Sequence, residues 1–196
     1  MNKRILIIQG HPDGQARKHL CHVLADAYVQ GALAAGHEVQ VVDVATLNFP
    51  LLRSQQEWEE GALPPSLQAS QKAIAWADHL VLFFPLWLGD MPAVLKGFLE
   101  QVARPGFALS KGGDGRLPAK LLTGRSARVV VTMGMPALIY RWYFRAHSVK
   151  ALERNILGFV GIAPVRETLI GSVDGLGEAG VTTWCGKLSK LGRRAY

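Results

Sequence analysis

The sequence predicts a single doubly wound, three-layer α/β domain. Five short apolar runs rich in β-formers alternate along the chain with segments of helical periodicity. Parallel neighbours in a sheet need a crossover connection, so this alternation implies βαβ units with helices on both faces. The chain has 196 residues and is 49% hydrophobic, enough for one well-buried core and short for two. No internal repeat and no low-complexity segment divides it.

The first run, Arg4 to Gln9, is uninterrupted and stops at Gly10, as a strand covered on both faces should. A helix is expected from Arg17 to Ala35, with Leu20, Val23, Leu24, Ala27 and Gly31 at helical spacing and Gly36 closing it. Glu38 to Val44 is the second strand. Ala45 to Pro65, with the acidic Glu57-Trp58-Glu59-Glu60, is expected as loop, and Pro65 to Ala77 as helix. His79 to Pro85 is strand three and Met91 to Val102 its helix, with Asp90 as cap and Pro92 in the first turn. Gly106 to Gly124 is a glycine-rich connection. Ala127 to Met133 is strand four, Pro136 to Gly158 a broken helical region, Pro164 to Ile170 strand five, and Leu176 to Leu191 the last helix.

Composition narrows the function classes. The apolar run Leu80 to Leu88 falls well short of the roughly 18 residues that span a bilayer, and the basic start Met1 to Arg4 leads into a strand rather than a signal segment. Two cysteines, Cys21 and Cys185, fit a reducing cytoplasm, where the chain is expected. The net charge of +7 favours anionic partners. Its positive residues are dispersed, without a zinc finger, RNA-binding aromatic motif or continuous basic helix, so nucleic acid is not expected.

In a doubly wound sheet, ligands bind beyond the carboxyl ends of the strands where strand order reverses. Three strand ends therefore matter. After Gln9 comes a Gly-His-Pro turn, with neither G-x-G-x-x-G nor a P-loop, followed by Arg17 and Lys18 at a helix start. Free N–H groups and the helix dipole there suit a phosphate, though a plain connecting loop reads equally well. His19, Cys21 and His22 lack a neighbouring carboxylate at ligand spacing, so packing is favoured over metal.

After Phe84, helix formation explains everything from Asp90 onward but not Pro85 to Gly89. Trp87 and Leu88 there make a flat apolar wall suited to a planar heteroaromatic ring; the competing reading folds Trp87 back onto the core. After Thr132, the turn Met133-Gly134-Met135-Pro136 exposes backbone, and Tyr140, Trp142, Tyr143 and Phe144 follow, read as core or interface residues rather than chemistry. His147 is the exception: an imidazole can offset negative charge developing on a ring that receives a hydride.

These residues resemble the flavodoxin-like NAD(P)H:quinone oxidoreductases, the group of DT-diaphorase, the modulator of drug activity and the ancillary flavoproteins of potassium efflux systems. The resemblance covers nearly the whole chain, from Ile5 at the start of the first strand to Ile162, and its specific marker is P-L-x-x-x-x-x-P-A-x-L-K-G, present as Pro85 to Gly97. It implies a flavodoxin-like three-layer sandwich with a five-stranded parallel sheet of order 2-1-3-4-5, a bound flavin, and a homodimer. By position, His11 and Arg17, Lys18, His19 and Leu20 match the flavin phosphate loop. Pro85, Leu86, Trp87, Leu88 and Gly89 match one ring-binding loop, with Leu88 rather than Trp87 at the family's usual aromatic position. Thr132, Met133, Gly134 and Met135 match the second ring loop, and Tyr140 and His147 the residues that assist hydride transfer. The chain departs from the family's Ser-Phe-Asn at His19-Leu20-Cys21 and from its Thr-Thr-Gly-Gly at Thr132 to Met135.

The implied activity is two-electron, flavin-dependent transfer of a hydride from NADPH or NADH to a quinone-like acceptor. FMN is favoured over FAD because no segment stands out as a second nucleotide pocket. The alternative is a regulatory flavoprotein subunit docked on a membrane transporter. A non-flavin hydrolase or transferase is disfavoured, since the chain has no G-x-S-x-G and no paired carboxylates at strand ends.

Overall fold

The computed structural model describes residues 2–14, 19–111 and 118–196. The elements run β1 (Arg4–Gln9), α1 (Leu20–Ala34), β2 (Glu38–Asp43), α2 (Gln55–Glu60), α3 (Gln68–Trp76), β3 (His79–Pro85), α4 (Ala93–Val102), β4 (Ser126–Thr132), α5 (Ala137–Trp142), α6 (His147–Ala151), a π-helical turn (Leu152–Leu157), α7 (Gly158–Val160), β5 (Val165–Ile170) and α8 (Gly177–Arg194). The five strands form one parallel sheet of order β2-β1-β3-β4-β5. Strand order reverses between β1 and β3, opening the crevice at their carboxyl ends.

Alternation along the central strands splits their side chains between two cores. Leu6, Ile8, Leu80, Leu82, Phe84, Val129 and Val131 pack with α3 and α4 on one face. Ile5, Ile7, Val81, Phe83 and Val130 pack with α1 and α8 on the other. This double burial is why β1, β3 and β4 read as continuous apolar runs. The edge strands β2 and β5 carry Glu38, Gln40, Arg166 and Glu167, which blunt the free edges.

The helices α1 and α8 approach through a reciprocal pair of glycines. A Cβ on Gly31 would lie 2.0 Å from the Ser189 carbonyl oxygen, and one on Gly192 would lie 2.1 Å from that of Tyr28. Only a hydrogen fits at either point, so the pair sets how closely α1 lies against α8.

Three sequence expectations are corrected. The stretch expected as loop contains α2, whose Ser54 Oγ accepts the Glu57 N–H at 3.1 Å while Glu57 Oε2 accepts that of Arg53 at 3.0 Å. Buried Arg104 then donates to the Glu57 and Gly61 carbonyls at 2.6 and 2.9 Å, holding α2 onto α4. The helix α4 begins at Ala93 behind Pro92 with no side-chain cap, and Asp90 instead accepts the Met91 N–H at 2.7 Å. The helix α1 begins at Leu20; Arg17 and Lys18 lie outside the described residues. Among the described residues, no helix is long and apolar enough to cross a membrane.

Candidate functional site

At the end of β3 the chain makes a tight hairpin rather than an irregular loop. The Trp87 N–H donates to the Asp90 carbonyl at 2.8 Å and the Asp90 N–H returns to that of Trp87 at 3.0 Å. The two residues between them, Leu88 and Gly89, have φ of 47° and 81°. Positive φ at both central positions is the type I′ pattern, for which Asn-Gly is the usual sequence. Leu88 thus sits in a left-handed conformation that costs a branched side chain roughly 1–2 kcal/mol, and its side chain is fully exposed. Trp87 beside it is half-exposed. The amides of Leu88 and Gly89 make no hydrogen bond among the described residues.

The carboxyl end of β4 buttresses this turn, because the Leu86 N–H donates to the Thr132 carbonyl at 2.8 Å. Thr132 and Met133 are buried, with the Thr132 hydroxyl 3.1 Å from Cys21 Sγ and Met133 in the core. Their side chains therefore face inward. The outward part of the loop is Gly134 and Met135, whose amides also lack partners among the described residues.

The end of β1 brings three histidines together. Gly10 makes the turn close: its N–H donates to the Phe83 carbonyl at 2.7 Å, and a Cβ would meet the end of the Leu95 side chain at 2.6 Å. The turn it permits stacks His11 on His19, with ring centroids 4.0 Å apart at 18°. His22 lies 5.4 Å from His11, and the Trp87 ring meets His11 edge-on at 6.1 Å. His11 Nδ1 accepts the Asp13 N–H at 3.1 Å, and His19 Nε2 lies 2.9 Å from Asp13 Oδ2. Burial, followed by the neighbouring His19 and His22, pushes His11 below the usual imidazole range. The amide on Nδ1 leaves the neutral ring carrying its proton on Nε2. Leu20 turns toward the core between α1 and the sheet.

Tyr140 is buried, its hydroxyl 2.6 Å from Ser148 Oγ. Burial raises its pKa, the Ser148 hydrogen bond opposes this, and the charges of Asp90 and Glu167 add to the rise. His147 opens α6 and is exposed. The fold thus joins His11, His19, Trp87, Leu88 and Gly89 through one ring cluster and one turn, with Gly134 and Met135 alongside.

Helical spacing puts His19 and His22 on one face, and the fold adds His11 to them. The sequence reading missed Leu138 and Ile139, which with Trp142 and Tyr143 form an exposed apolar ridge on α5 and just after it; a helix this short cannot bury so many large side chains. Among the described residues, no group of three histidine, cysteine or carboxylate side chains is placed to hold a metal.

The arrangement suits a flat, partly apolar molecule with polar edges. Exposed Leu88 and Trp87 provide apolar surface, and four unpartnered amides provide donors beside it. A flavin fits that donor set.

Known proteins agree with this architecture. An FMN-dependent NADH:quinone oxidoreductase of Nitratidesulfovibrio vulgaris is 28% identical over 187 residues, covering 85% of this chain and 85% of that protein. A ribosyldihydronicotinamide dehydrogenase-like protein of Penicillium crustosum is 31% identical over 157 residues, 67% of this chain but only 57% of that protein. The chain thus spans little more than half the length of that relative. The solved NAD(P)H:quinone oxidoreductase from Methanothermobacter marburgensis, 25% identical, superposes with a TM-score of 0.80 over 99% of this chain and 97% of that one. Residues 3–182, most of the chain, match a family model described as flavodoxin-like fold, and it is to this flavodoxin-like family that the chain belongs.

Proposed function

We propose that this chain is a flavin-dependent NAD(P)H oxidoreductase that uses FMN to pass a hydride from NADPH or NADH to a quinone-like acceptor. The observation that carries the reading is the left-handed, fully exposed Leu88 beside unpartnered amides at the crevice where strand order reverses. Backbone strain and exposed apolar surface together are unfavourable unless a ligand covers them. The relatives named as FMN-dependent and quinone-reducing support the choice of cofactor and acceptor.

Leu88 and Trp87 would contact the ring, and the amides of Leu88, Gly89, Gly134 and Met135 would donate to its polar edge. The Nε2–H of His11 and the first turn of α1, without a side-chain cap among the described residues, would take the phosphate. FMN supplies the two-electron redox chemistry when bound. The Tyr140 hydroxyl can donate a hydrogen bond, and the exposed imidazole of His147 is the group we place where charge develops on the ring. The apolar ridge of Leu138, Ile139, Trp142 and Tyr143 is the face on which we place a second copy of the chain, and light scattering in solution tests it: a monomer refutes the dimer.

Reconstitution tests the function. The chain should take up one FMN, and NADPH or NADH should bleach it under anaerobic conditions. His147→Ala should slow that bleaching by about tenfold or more while changing FMN affinity little. A chain that binds neither FMN nor FAD refutes the reading, and loss of FMN affinity in His147→Ala would make His147 a structural residue.

A further inference from the structure

Around His147 the chain builds a groove whose other lining residues the flavin reading does not use. It has a volume of about 410 Å³ and is lined by Arg145, His147, Lys150, Ala151, Arg154 and Asn155. Four of these six side chains are cationic or can become so, all four are exposed, and no carboxylate lines the groove. Among the described residues, none of the four takes part in an ion pair. Acidic residues are nevertheless close in sequence and fold: Arg141, one turn before the groove, is paired with Glu167 at 2.6 Å. Lys150 and Arg154 are four residues apart, a spacing at which like charges repel on a helix, and Glu153 between them does not line the groove.

The backbone supports the same conclusion. Arg145 and Ala146 are consecutive left-handed residues, with φ of 53° and 48°, and neither is glycine. Each such residue costs roughly 1–2 kcal/mol. The pair is held by the buried Ala146, whose N–H donates to the Tyr140 carbonyl at 3.0 Å. This break ends the α5 segment and starts α6 with Arg145 and His147 on one groove. A π-helical turn, Leu152–Leu157, then carries Arg154 and Asn155 at the far end; such turns recur at functional sites. From His147 to Arg154 is about 10 Å along a helix axis.

We propose that this groove binds the adenosine 2′-phosphate of NADPH, with Arg145, Lys150 and Arg154 as the residues that select NADPH over NADH. The assignment rests on the oxidoreductase reading above. One end of the groove is His147, which the reading above assigns to the hydride-transfer site, and Lys150 and Arg154 follow it along the same groove. The two donors differ only in that phosphate, a dianion near neutral pH, and several unpaired cations in a groove without acids match it.

Two measurements on the FMN-loaded protein test this. The ratio of kcat/KM for NADPH to that for NADH should be about tenfold, corresponding to about 1.4 kcal/mol, and should shrink as salt is raised. The double variant Lys150→Gln/Arg154→Gln should lose about tenfold in kcat/KM for NADPH while NADH changes by less than about twofold. Separately, calorimetry should show that 2′,5′-ADP binds more tightly than 5′-ADP, and that the double variant removes the difference. Equal use of the two donors by the parent chain, a preference that survives the double variant, or competition by inorganic phosphate equal to that by 2′,5′-ADP would overturn the assignment. A protein that retains FMN but oxidises neither donor refutes the oxidoreductase reading instead, and calorimetry still reads the groove.

Discussion

Replacing Leu88 by asparagine should stabilise the free protein and weaken its hold on flavin. Leu88 occupies the first central position of a type I′ turn at φ 47°, followed by Gly89 at 81°. Asparagine tolerates this conformation, and Asn-Gly is the preferred pair for the turn. The leucine side chain is fully exposed, so its removal sacrifices no buried surface. The Trp87–Asp90 backbone pair, which closes the turn, does not involve the side chain at all. Relief of most of the left-handed penalty should raise stability by about 1 kcal/mol, or roughly 2–4 °C in Tm for a chain of this size. Covering a leucine by a ligand is worth about 1.5–3 kcal/mol when complete. A partial cover of about 1.4 kcal/mol makes the FMN Kd rise about tenfold in Leu88→Asn. Urea denaturation of the flavin-free chain and quenching of FMN fluorescence read the two effects separately. A variant that is destabilised, or that binds FMN as tightly as the parent, would show that Leu88 is held in place by the fold and not by a ligand.

Two further predictions concern the scaffold. Gly31→Ala drives a methyl group to 2.0 Å from the Ser189 carbonyl oxygen, where backbone has to move. Overpacking should outweigh the helix-propensity gain and destabilise the chain by about 2 kcal/mol in urea denaturation, and an equally stable variant would contradict the close helix contact. His79 is fully buried, and burial, with Lys3 and Arg128 nearby, lowers its pKa to about 3. The unfolded chain takes up this proton near pH 6.5 and the folded chain does not until about pH 3. The favourable contribution is therefore complete above pH 6.5 and falls by about 1.4 kcal/mol per pH unit below it. His79→Asn, which can keep a bond to Ser126, should lower the loss of stability between pH 7 and pH 5 by about 2 kcal/mol; an unchanged pH slope would refute this.

Much of the fold was legible because the central strands are buried on both faces. Continuous apolar runs such as Leu80 to Phe84 can only be strands of a covered sheet at this length, and the glycines at their ends mark where the chain turns. Helix α2 was missed because its composition is acidic and its helix is short, although Ser54 and Glu57 carried the spacing of a capping signal. The hairpin at Trp87 was missed for the opposite reason: Leu-Gly is a poor type I′ sequence, so local preference gave no warning of it.

The amino-acid order by itself determined the alternation of strands and helices, the location of the three loops that line the crevice, and the motif from Pro85 to Gly97. These depend on periodicity and on residues near one another in the chain. Only the tertiary structure decided which side chains of those loops face outward. Thr132 and Met133 turn inward because Cys21 and the core claim them, leaving Gly134 and Met135 at the crevice. It also decided that His11 stacks on His19 beside Trp87, and that four basic residues share one groove. Orientation of this kind comes from contacts between elements far apart in sequence, which local propensity does not encode.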